Sequence, residues 1–108
     1  DINKILDFEL LNCFERLDAF DTLANENISS TKIFINYEMK FIEPFFSMYH
    51  EHLASKIDDQ DILSKTYFLN KIHHTMLDLP NSNDLQRDLG KIRLMLNNDS
   101  PKFFPKLK

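Results

Sequence analysis

The chain has 108 residues, the length of one domain, so two separate hydrophobic cores are excluded. A hydrophobic fraction of 43% and a charged fraction of 28% are those of an ordinary globular chain and speak against disorder or a membrane protein. The formal net charge of −4 makes nucleic acid a poor first partner. The apolar set holds 15 Leu, 10 Ile and 10 Phe but neither Val nor Trp, and Gly90 is the one glycine. Strands favour Val and Thr, and tight hairpins need Gly or Asn at positive φ, whereas Leu and Met favour helices. The expectation is therefore an all-α protein.

From Asp1 to Ala24 the positions Leu6, Leu10, Cys13, Leu17, Phe20 and Ala24 step by 4, 3, 4, 3 and 4, one stripe of an amphipathic helix. Asp7, Glu15, Asp18 and Asp21 lie largely off that stripe. Asn25 to Asn27 ends the helix, and Ser29, Ser30 and Thr31 offer hydroxyls as the cap of the next. Between Thr31 and Ile57 a second stripe, Ile35, Met39, Ile42, Phe46, Tyr49 and Leu53, is joined by a second apolar face of Phe34, Phe41, Phe45 and Met48. Two apolar faces predict a central helix. Pro44 lacks an amide hydrogen and its ring collides with the carbonyl of Lys40, so a kink or break is expected near Phe41 to Pro44.

Asp58, Asp59 and Asp61 place carboxylates at the positive end of a third helix, marked by Ile62, Leu69, Ile72, Met76 and Leu79 and stopped at Pro80. A fourth helix carries Leu85, Leu89, Ile92 and Leu96 and is expected to end within Asn97 to Pro101. The predicted architecture is an antiparallel bundle of four to five helices over residues 1–101, with a short basic, aromatic tail over 102–108.

Charge divides along the chain. Residues 1–61 sum to −8 and residues 62–108 to +4. Either the basic half folds back on the acidic half, or Arg87, Lys91, Arg93 and the tail lysines form a basic edge for an acidic partner.

Catalytic and metal chemistry find little footing. Cys13 lies on the apolar stripe of the first helix, where a thiol is inert packing, and one glycine cannot build a phosphate loop. His50 and His52, and His73 and His74, lack the i to i+3 or i+4 spacing of helical metal ligands. An interhelical site of Glu43, His50 and His73 is the one geometric opening, and no metal or cofactor is expected. No run approaches the roughly 18 apolar residues of a spanning helix, and no basic stretch precedes an apolar one at Asp1, so no signal peptide is expected and a cytoplasmic location is. Shortage of Val, Gly and Ala beside abundant Asn, Ile, Phe and Lys is the bias of an AT-rich coding sequence and hints at a bacterial or phage source.

The aromatic surplus is the functional pointer. It suggests a non-enzymatic module, a small regulator, adaptor, immunity or inhibitor protein, that contacts another protein or a second copy of itself. The residues expected to carry that contact are Phe41, Phe45, Tyr67, Phe68, Arg87, Lys91, Arg93, Phe103 and Phe104. The alternative is a ligand-sensing bundle with an apolar pocket bordered by Tyr49, His50, Tyr67 and His73. A third, weaker reading puts the basic fourth helix and tail on DNA.

Overall fold

The computed structural model describes residues 2–42 and 58–107, and among them every regular element is helical. The described residues form four α-helices: α1 (Ile2–Glu26), α2 (Ile28–Tyr37), α3 (Gln60–Asp78) and α4 (Leu85–Phe103). A π-helical turn, Glu38–Ile42, continues α2, and a 3-10 turn, Leu79–Asn81, follows α3. The chain leaves α geometry at Glu38, a few residues ahead of Pro44. The kink expected at Pro44 lies outside the described residues.

The periodicity of α1 is buried as spaced: Leu6, Leu10, Cys13, Leu17, Phe20 and Ala24 are all in the core, joined by Arg16. In α4 the same holds for Leu85, Leu89, Ile92 and Leu96. Ile35 of α2, Met39 of the π turn, and Leu69, Ile72 and Met76 of α3 complete one contiguous apolar cluster. Full burial of a large apolar side chain is worth about 1.5–3 kcal/mol, so these stripes and not helix propensity hold the elements in place.

Helix directions follow from long-range pairs. Asn25, at the end of α1, accepts from Gln86 at the start of α4, and Asp18 and Asp21 meet Arg93 further along it, so α1 and α4 run in opposite senses. Lys65 near the start of α3 donates to Asn3 near the start of α1, which sets those two side by side in the same sense.

Two local expectations change and a third holds. The cap of α2 is Asn27, whose side chain accepts from the Ser30 amide at 2.9 Å, not a hydroxyl of Ser29, Ser30 or Thr31. The Ser30 and Thr31 hydroxyls donate back to the Asn27 carbonyl, a local bond that removes them as caps. For α3 the acidic start is confirmed in detail, since the Asp59 carboxylate accepts from the amides of Asp61 and Ile62. The largest difference is at the end of α4, which passes through Pro101 to Phe103. Proline removes the bond to the carbonyl of Asn97, but Asn97 is exposed and water can replace it. What holds the extra turn is burial: Phe104 sits in the core, Phe103 stacks on Phe68 at 4.9 Å, and the Phe104 amide donates to the Ser100 carbonyl at 2.8 Å.

The α3–α4 corner is tied by polar groups instead of glycine. Asp84 caps α4 by accepting from the Arg87 amide, and the Ser82 hydroxyl accepts from the Asp84 amide while donating to Asp88. That donated bond holds the Asp88 carboxyl below its ordinary pKa, helped by Arg87 and Lys91 against some loss of solvation. Lys32 of α2 reaches the Ser82 carbonyl at 2.6 Å and pins α2 to this corner. No described residue takes a positive φ, so Gly90 serves no turn and simply lies on the outer face of α4.

Candidate functional site

Helix α2 is short and turns only Thr31 and Ile35 fully inward. Its other side is apolar. Ile33 is 72% exposed, Phe34 40%, Tyr37 55% and, in the π turn, Phe41 67%. Residues four apart on a helix are neighbours, so Ile33, Tyr37 and Phe41 form one outward row, with the Tyr37 and Phe41 rings 5.5 Å apart. Isolated exposed apolar side chains are ordinary on a protein surface. A contiguous row of large ones marks a contact site.

Phe34 joins this row to a groove of about 280 Å³ between α1 and α2, lined by Asn12, Glu15, Arg16, Ala19, Phe20, Phe34 and Glu38. Phe34 meets Phe20 edge-on at 6.1 Å, which anchors its inner edge in the core and leaves its outer face in the groove. Ala19 is exposed and small, the low point of the α1 bank. Arg16 is almost fully buried, 3.7 Å from Glu9, and its other nitrogen points at the Cys13 sulfur at 3.9 Å.

Behind the groove the interior is partly polar. Glu9, Cys13, Arg16 and His73 each have further polar or electrostatic contacts, so the cluster is engaged. Burial first, then the nearby Arg16 cation and then His74, lower the His73 pKa from 6.5 to about 4, leaving a neutral imidazole at pH 7. Cys13 is a buried thiol. Among the described residues no three His, Cys, Asp or Glu side chains gather as a metal-binding group. No described helix is long and apolar enough to cross a membrane.

The residues expected from the sequence to touch a partner divide. Phe41 and Tyr67 are exposed as that role requires, and Arg87 and Lys91 are exposed on α4. Phe68 and Phe104 are not available: both are core residues, because the extended end of α4 brings Phe103 and Phe104 down onto α3. Phe103 is half-buried by the same stacking. Arg93 is spent internally, 2.7 Å from Asp18 and 2.5 Å from Asp21, and these bonds, Asp21 first, raise its pKa further. For this residue the basic half does fold back on the acidic half. Phe45, Tyr49 and His50 lie outside the described residues, as does Glu43.

The expected pocket bordered by Tyr67 and His73 is not formed by that pair. Six residues along a helix turn the side chain by about 120° net, so Tyr67 faces solvent while His73 faces the core. The sequence reading missed Ile33, Phe34 as a groove wall, Tyr37, Ala19 and the glutamates beside them. Ile33 and Tyr37 stand outside the Ile35–Met39 stripe by two residues, a signal that was present in the spacing.

Compared with protein-family models, with curated proteins and with solved structures, the chain shows no significant match, so the functional reading rests on this geometry.

Proposed function

We propose that this chain is a non-enzymatic helical module that works by protein contact, built as an antiparallel bundle with α2 presenting the contact face. One observation carries the reading: the outward row of Ile33, Tyr37 and Phe41, with Phe34 beside it, on a helix whose inward face is already satisfied by Ile35 and Met39. Apolar and aromatic side chains at the centre of a patch, with polar groups around it, are the composition of an interface core. Asn36, Lys40 and Glu38 supply that surround here.

The test is light scattering across concentration, alone and with candidate partners, for the parent chain and for Ile33→Ser/Tyr37→Ser. Association that weakens in the double variant while the melting curve is unchanged supports the reading. A chain that stays monomeric and binds nothing in either form ends it.

A further inference from the structure

Resting on the contact reading above, we infer that the partner segment is a basic amphipathic helix, which lays its apolar side into the α1–α2 groove and sets Lys or Arg side chains against Glu15 and Glu38. The groove is lined by the apolar Ala19, Phe20 and Phe34 together with Asn12 and Arg16, and it carries one carboxylate on each bank, Glu15 from α1 and Glu38 from the π turn. Neither glutamate forms an ion pair among the described residues, unlike Asp18 and Asp21, which hold Arg93. The cation in the floor, Arg16, is turned inward to Glu9 and Cys13, so the charge that faces an incoming segment is negative.

Shape and length agree with a helix as the occupant. From Phe34 to Phe41 the apolar wall runs about 10 Å, roughly two helical turns, enough for anchors at i, i+4 and i+7 of a partner. Exposed Ala19 lets a helix backbone approach α1 closely where a larger residue would hold it off. An acidic segment would meet Glu15 and Glu38 as like charges, and a purely apolar one would leave both carboxylates desolvated without partners.

The experiment uses the intact chain and two labelled synthetic peptides with the same leucine pattern, one with Lys and one with Glu at the polar positions, read by fluorescence anisotropy at low and high salt. The Lys peptide should bind, weaken with salt, and lose about tenfold or more in affinity in Glu15→Lys/Glu38→Lys, the worth of one close charge pair. Ala19→Leu, which fills the groove without disturbing helix propensity, should abolish binding at an unchanged melting temperature. Equal binding of both peptides, or Lys-peptide binding that survives the Glu15→Lys/Glu38→Lys change, overturns the inference and leaves α2 a contact face of another specificity. Self-association removed by the same double variant also overturns it, placing the basic α4 of a second copy in the groove. Binding of neither peptide, with light scattering unaffected by Ile33→Ser/Tyr37→Ser, overturns both this inference and the reading beneath it.

Discussion

Helices α2 and α4 bury equally regular stripes and differ on their outer sides. Outside, α4 shows Gln86, Arg87, Gly90, Lys91, Asn97 and Asn98, with Leu94 the large apolar exception. Outside, α2 shows Ile33, Phe34 and Tyr37, and its π turn adds Phe41. The difference separates what the fold needs from what it does not. The outer face of α4 is polar, as a solvated helix face is, whereas that of α2 keeps apolar area in water beyond what Phe34 packs against Phe20.

The contrast can be broken most severely from the inside. Phe20→Ala empties the position that supports both the core and the Phe34 wall, and chemical denaturation should show a loss of about 3–5 kcal/mol. Lowering the pH attacks the same interior through His73. In the unfolded chain its imidazole takes up a proton near pH 6.5, whereas in the folded chain it does so only near pH 4. Stability should therefore fall as pH drops from 6.5 towards 4, by up to roughly 3 kcal/mol from this group, and the decline should flatten in His73→Leu.

Smaller changes sharpen the comparison between the outer faces. Arg93→Gln removes the double contact with Asp18 and Asp21 at the α1–α4 seam, and because these groups are partly exposed the loss should be about 1 kcal/mol and shrink at high salt in thermal melts. Gly90→Ala should act in the opposite direction. A methyl at Gly90 meets nothing within 4 Å, so the gain in helix propensity, about 1 kcal/mol, should appear as a higher melting temperature. The smallest effect on stability belongs to Tyr37→Ser/Phe41→Ser, expected within about 0.5 kcal/mol by the same melts. If that pair instead proves strongly destabilising, the row on α2 is part of the fold and the contrast with α4 disappears.

Much of this was legible residue by residue. Leu6, Leu10, Cys13, Leu17, Phe20 and Ala24 are spaced for one helix face, and each is buried. Asp59 reads as a cap because carboxylates ahead of an apolar stripe have few other uses, and it is one. Asn27 was less legible, since Asn, Ser and Thr stand almost together there and only the direction of the hydroxyls decides among them. Of the candidate site Phe41 alone was legible; Tyr67, also exposed, lies on α3, and Phe68 and Phe104 are inside.

Secondary structure and the buried stripes follow from the sequence alone because both are set by spacing against a 3.6-residue period, a property of neighbours along the chain. Which of the surplus aromatics remain outside was decided only by tertiary structure. Phe104 is covered because α4 runs through Pro101 onto α3, and Phe34 keeps a wall free because α1 offers Ala19 beside it. Those are contacts between residues about 40 and about 15 positions apart, and no local pattern specifies which neighbour a second apolar face will meet.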